Sequence, residues 1–230
     1  YGPCAFIDGY DPKAVFSSID QQGRYAYGNQ PVIMQWNLSR FAETLINLVN
    51  PEDSHDAIRQ LTNEVNAFPA HYQQEWLKGM CAKLGLVKEL PEDLDLANGL
   101  LAAAEVQKVD FTKLFRALAD GVRSDVALLR ALFDDTEALD AWLTLYKTRA
   151  EQEGVSAAER ADAMDKVNPI YIPRNHLVEE ALESAAEGDL DFFHKLSVVL
   201  ANPFVKQDGA ERYEEPAPKG APRHVTFCGT

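Results

Sequence analysis

Three cysteines, Cys4, Cys81 and Cys228, are the most reactive side chains of this 230-residue sequence. Their number is odd, their spacing is wide and no Cys-x-x-Cys pair occurs, so neither a zinc ribbon nor a disulfide scaffold is indicated. A reducing compartment suits such a set, and any disulfide would be regulatory rather than structural. The histidines His55, His71, His176, His194 and His224 lack metal-ligand spacing. His224 and Cys228 come near it, but they lie in a Pro-rich tail without two further ligands. Asp8 and Asp11 are the carboxylate pair that a divalent cation would accept. Asp8-Gly9 and Asp11-Pro12 are also common turn initiators, and the turn reading is preferred.

The aspartates belong to an opening that no regular helix could hold. Tyr1-Gly2-Pro3, Phe6-Ile7-Asp8-Gly9-Tyr10-Asp11-Pro12, Gln22-Gly23-Arg24-Tyr25-Ala26-Tyr27 and Asn29-Gln30-Pro31 crowd Gly, Pro, Asp and aromatics together. Such a run reads as a loop held in one shape by turn residues and aromatic anchors.

Helical spacing then takes over. Met34, Leu38, Phe41, Leu45 and Val49 predict a helix over 33–49, with Trp36, Phe41 and Leu45 as its buried anchors. Asn50-Pro51-Glu52-Asp53 reads as a cap, a first-turn proline and first-turn acids. The helix after it would bury Ile58, Leu61 and Val65. Tyr72, Trp76, Met80 and Leu84 mark another, stopped at Gly85. Leu94, Ala97, Leu101 and Ala104 share a face. Asp110 caps a segment burying Leu114, Phe115 and Leu118. Leu129, Leu132 and Phe133 follow, then Leu139, Trp142, Leu143 and Tyr146. Ser156-Ala-Ala-Glu159 is a capping box, and Asn175 and Asp189 read as caps of the last two helices, divided by Gly188. Period-two alternation hardly occurs, so the fold class is mainly α. Pro216, Pro218, Gly220 and Pro222 make the end of the chain an extended strap.

Hydrophobic content of 46% and charged content of 25% suit a globular chain, and no stretch approaches the ~18 apolar residues of a membrane span. The net charge of −14 is uneven: residues 1–50 carry −1 and the remainder −13. A surface this acidic repels phosphate backbones, so no nucleic-acid partner is expected.

The opening, with Trp36-Asn37-Leu38 just beyond it, resembles the selenoprotein O family, kinase-fold proteins that transfer AMP to other proteins. Val109-Asp-Phe-Thr-Lys-Leu-Phe-Arg-Ala-Leu118, Val167-Asn-Pro-Ile-Tyr-Ile-Pro-Arg-Asn175, Asn202-Pro203-Phe204 and Cys228-Gly229-Thr230 resemble further family blocks, in the family's order. The resemblance implies the end of a protein-kinase-like C-lobe plus a helical C-terminal extension. Residues 1–31 would be the activation-segment-like loop, 32–90 the C-lobe helices, 91–203 the extension and 204–230 the Pro-rich tail.

In the family an Asp directly precedes Tyr-Gly-Pro, where kinases place a Mg²⁺-binding Asp, and this sequence starts one residue after it. The resemblance therefore implies that catalytic and metal-binding residues, with the ATP and Mg²⁺ or Mn²⁺ they hold, lie upstream of Tyr1. The chain alone is expected to bind no nucleotide or metal and to be inactive. Arg24, Tyr25, Asn29 and Gln30 are the polar candidates for a groove that takes protein substrates, with bonding inside the loop as the other reading. Family members place selenocysteine or Cys where Cys228 stands, which implies a redox bond from the tail to the loop region. Phe16 occupies the position where some members carry the partner Cys, and Cys4 is the alternative partner. The implied location is cytoplasmic in a bacterium and mitochondrial in a eukaryote. The competing function, from composition alone, is a non-catalytic acidic helical interaction domain.

Overall fold

Helices dominate the computed structural model, which describes residues 5–218, 220–222 and 224–227. In chain order they are α1 (Gln30–Val49), α2 (Ser54–Lys83), α3 (Asp93–Gln107), α4 (Phe111–Arg123), the single turn α5 (Ala127–Arg130), α6 (Glu137–Glu151), α7 (Ala157–Asp165), α8 (Asn175–Ala186) and α9 (Asp191–Leu200). Among the described residues no strand forms, and two isolated bridges are the only β-type pairing. The mainly α expectation holds.

The main core is built where apolar faces from α3, α4 and α6 meet the end of α2. Leu84, Leu100, Leu114, Phe115, Leu118, Leu129 and Leu139 are fully buried there. Trp142 stacks on Tyr146 and donates its indole N–H to the Leu96 carbonyl at 2.7 Å. α4 lies on α7, α3 on α6, and α8 pairs with α9. A smaller cluster joins α8 and α9 through Leu177, Ala181 and Leu196. The chain turns from α2 toward α3 at Gly85, whose φ of +69° suits glycine. A Cβ there would stand 2.4 Å from Arg160 Cγ, so the close passage of α7 requires glycine as well.

Several caps stand where their residue types put them. Asp110 accepts the Lys113 amide at 2.8 Å, and Ser156 with Glu159 closes the capping box. Other expectations need correction. α1 starts at Gln30, three residues early, because Pro31 fits a first-turn position. The cap of α2 is Asp53, which accepts the His55 and Asp56 amides; Asn50 instead gathers the Glu52 and Asp53 amides in the turn before it. Asn175 does not cap α8, whose N-cap position falls to Arg174.

α2 is one helix of 30 residues rather than two. Pro69 sits within it and cannot donate to the Val65 carbonyl four residues back. The Gln35 side chain of α1 donates to that carbonyl at 3.3 Å, so the neighbouring helix replaces the missing bond.

The burial expected of α1 is overturned. None of its residues is buried; Trp36 is 46% and Phe41 60% exposed, and Ile58 on α2 is exposed too. Amphipathic spacing marks a face that can be covered, and among the described residues only α2 and the turn before α1 pack on this helix in any strength. A groove of about 420 Å³ runs between α1 and α2, lined by Arg40, Ile46, Ile58, Leu61 and Val65 among others. Beyond α9, a 3-10 turn (Glu211–Glu214) breaks the stretch expected to be extended, and Tyr213 stacks on Phe192.

Candidate functional site

The described opening loop, residues 5–29, is fixed by turns, by aromatic rings and by the helices of the second half of the chain. Asp11 accepts the Lys13 amide at 2.8 Å, and Asp20 accepts the amides of Arg24 at 2.9 Å and Tyr25 at 2.7 Å. These amides, Tyr25 first, hold the Asp20 carboxyl below the usual range. Gly28 and Tyr27 donate back to Pro12 and Ala14, closing the loop on itself.

Tyr10 is the central anchor. Its ring stacks on Phe111 at 5.6 Å and meets Tyr27 edge-on at 6.1 Å, and Phe111 continues to Phe115 at 5.2 Å. Burial pushes the Tyr10 hydroxyl up to about 12, with Tyr27 adding to it. Gly9 forms an antiparallel bridge with Asp110, while Tyr10 donates to Val109 and Phe111 to Asp8, each at 2.8 Å. A Cβ on Gly9 would stand 2.5 Å from the Lys108 carbonyl oxygen, so the two backbones approach as closely as glycine permits.

Behind this bridge lies Arg174, whose side chain is wholly buried. Nη1 donates to Asp8 and, at 2.5 Å, to Asp110; Nη2 donates to Asp110 at 3.2 Å and to the Glu214 carbonyl at 2.8 Å. Asn175 bonds both backbone groups of Phe6: Oδ1 accepts the amide at 2.9 Å and Nδ2 donates to the carbonyl at 2.7 Å. Asp110 thus serves as the α4 cap and as half of a buried ion pair.

The carboxylates singled out by sequence do not form a metal site. Asp8 is held by Arg174, and Asp11 by the Lys13 amide with Lys108 at 3.6 Å. No group of three or more His, Cys, Asp or Glu among the described residues is arranged to hold a metal ion.

Arg24, Tyr25, Asn29 and Gln30 lie together at the foot of α1. Asn29 donates to the Gly23 carbonyl at 2.8 Å and Gln30 to that of Tyr25 at 2.7 Å. The Arg24 guanidinium lies 4.5 Å from the Trp36 ring, with Arg40 at 5.5 Å from the same ring. Tyr25 is exposed. Both readings of this group thus have residues: Asn29 and Gln30 bond within the loop, while Arg24 and Tyr25 present surface.

Cys4 and Cys228 lie outside the described residues. Cys81 is buried against Asp93, and burial, then Asp93, pushes its thiol up to about 11, which makes it a poor nucleophile. Tail residues 224–226 do reach the loop. Ser17 and Thr226 form a parallel bridge, and the Phe16 ring lies 6.2 Å from His224.

Sequence reading placed Arg174 and Asn175 at the end of a family block and read Asn175 as a cap, but missed both as loop supports. The available signal was the Arg-Asn pair that closes the Val167–Asn175 motif.

A family model described as protein adenylyltransferase SelO matches residues 1–201. The chain is 49% identical over 231 residues to the protein nucleotidyltransferase YdiU of Mycobacterium sp. (strain KMS). It is 47% identical over 234 residues to the protein of that name from Rhizobium leguminosarum bv. trifolii (strain WSM2304), and 45% over 232 to that of Agrobacterium fabrum (strain C58 / ATCC 33970). Each match takes in 100% of this chain and 46%, 46% and 47% of the respective relative. The chain spans about half the length of the curated relatives it matches.

Proposed function

The chain belongs to the SelO protein adenylyltransferase family, and we propose that it supplies the substrate-facing loop and its helical support in an enzyme moving AMP from ATP to Ser, Thr or Tyr hydroxyls of proteins. The observation that carries this reading is the family match over residues 1–201, which takes in the opening loop and helices α1 to α9. In this reading the loop is the counterpart of a kinase activation segment, and α1 and α2 belong to a kinase-like C-lobe. A loop held on both flanks by a rigid scaffold is a suitable platform for a protein substrate. Arg24 and Tyr25 are its exposed contacts, with Asn29 and Gln30 keeping the turn beneath them.

ATP and Mg²⁺ or Mn²⁺ belong to the whole enzyme, held by residues that this chain does not contain. The chain alone is accordingly inactive. The partners are proteins; the acidic surface disfavours nucleic acid, and no helix among the described residues is long and apolar enough to cross a membrane. The setting is the bacterial cytoplasm, in keeping with the bacterial relatives. Cys228 is the redox-active residue of the tail. The contact of residues 224–226 with Phe16 and Ser17 supports a tail that bears on the loop, and Cys4 is the partner proposed.

Transfer from ATP labelled on the α-phosphate tests the reading. Label should reach a protein acceptor with the full-length enzyme and not with this chain alone. Label moved by the chain alone would overturn the division of labour, and none moved by the full-length protein would overturn the activity. Non-reducing peptide mapping of oxidised protein tests the tail: a 4–228 linkage supports it, and a fully free Cys228 removes it.

A further inference from the structure

We propose that Arg174 and Asn175 are positioning residues: they hold residues 6–11 against the start of α4 and so fix the surface the opening loop offers to a protein substrate. The substrate part of this rests on the function proposed above; the holding of the loop does not.

A guanidinium removed from water is costly unless its donors are met, and removing one partner of such a group is more damaging than its mere presence is helpful. Arg174 is wholly buried; its two terminal nitrogens make four bonds in three separate places, the loop at Asp8, the α4 cap at Asp110 and the tail at Glu214, and Nε alone is left without a partner among the described residues. Its planar fork lets one side chain face both carboxylates, which a lysine could not do in the same way. Asn175 then bonds the Phe6 backbone as a neighbouring strand would, through one donor and one acceptor. α8 itself gains no side-chain cap from either residue. Both side chains at this helix start thus serve a loop that is 166 to 169 residues away.

The main hydrophobic core does not use them. Its residues come from the end of α2 through α7, with Tyr10 as the loop's own contribution. Loosening the pair should therefore free the loop while leaving α3, α4 and α6 in place. The Gly9–Asp110 bridge, the Tyr10 and Phe111 amide bonds and the Phe6 amide all report on that state.

Amide hydrogen exchange on this chain tests the clamp with Asn175→Ala and Arg174→Lys, the latter keeping the charge without the fork. Exchange at Phe6, Tyr10 and Phe111 is expected to quicken about tenfold, the size of losing one or two net hydrogen bonds. Amides of Leu100, Leu114 and Trp142 should keep their rates. Unchanged exchange in the loop overturns the proposal, and so does uniform quickening through the core, which would mark the pair as general stabilisers. In the full-length enzyme, Asn175→Ala should lower kcat/KM for the protein substrate about tenfold through misplacement, with KM for ATP unchanged. A freed loop with unaltered protein kinetics overturns the positioning role. No AMP transfer by the unsubstituted enzyme overturns the proposed activity instead, and the exchange result stands apart from it.

Discussion

Thr226 donates its backbone amide to the Phe16 carbonyl at 2.7 Å, and its own carbonyl accepts the Ser18 amide at 2.8 Å. This pairing ties the tail at Thr226 to the opening loop through backbone bonds. Removing residues 216–230 should quicken exchange at the Ser18 amide about tenfold, the scale of one net hydrogen bond. The Tyr10 amide, which bonds to Val109, and the Phe111 amide, which bonds to Asp8, should be unaffected. Equal exchange at Ser18 with and without the tail would show that the bridge does not persist in solution.

Arg149 lies against Asp93 with bonds of 2.6 and 3.0 Å and against Glu153 at 2.6 Å, all three side chains nearly inaccessible. Arg149→Met would leave two buried carboxylates facing no cation, and losing one partner of such a set costs about 3–5 kcal/mol. Urea unfolding measures it. A loss below about 1 kcal/mol would mean that water reaches the cluster.

Acid should act on the same cluster. Burial raises the Glu153 carboxyl, but bonds from Arg149 and from the Lys88 and Val87 amides outweigh it, and the net position is below the ordinary value. A carboxyl lowered in the folded state contributes stability above its unfolded pKa and loses it as pH falls through the folded value. Stability is expected to decline below about pH 4.5, and Glu153→Gln should flatten that decline. An identical acid limb in the variant would assign it to other groups.

His176 should add a second, milder dependence. Burial, with Arg174 and Arg212 adding to it, holds its imidazole below the usual value despite Asp8 and Glu180. The folded state therefore binds a proton less readily than the unfolded chain, and stability falls as pH drops below about 6.5. His176→Asn should remove this slope between neutral pH and the carboxylate range. Retention of the slope would point to another histidine.

Two tryptophans should answer differently to truncation. Trp142→Ala removes a buried ring and its bond to Leu96 and is expected to cost about 3–5 kcal/mol. Trp36→Ala on the exposed α1 loses mainly its stacking with Arg24 and Arg40, worth about 1 kcal/mol at such a site. Thermal unfolding of this chain compares them. A large loss at Trp36 would show that α1 is covered in solution.

What the sequence could show was local. The faces of α3, α4 and α6 follow from their spacing, and the caps at Asp110 and Ser156 follow from side chains that reach only three residues ahead. Spacing on α1 displayed an apolar face but could not say what lies on it. Spacing divided α2 into two helices, and the Gln35 side chain that helps it run on through Pro69 comes from another helix. Asp8 read as a turn initiator, and its pairing with Arg174 depends on a fold that no local pattern encodes.

The distance between Phe6 and its Asn175 partner, 169 residues along the chain, also sets an order of assembly. The opening residues leave the ribosome long before α8 exists, while α2 to α7 can already gather their core. Closing so long a connection comes late, because its entropy must be met before the contact rewards it. Until Arg174 arrives, Asp8 has no guanidinium and Gly9 has only the α3–α4 turn to lie against. Of the residues in these contacts, the earliest to be synthesised are thus among the last to take their final shape.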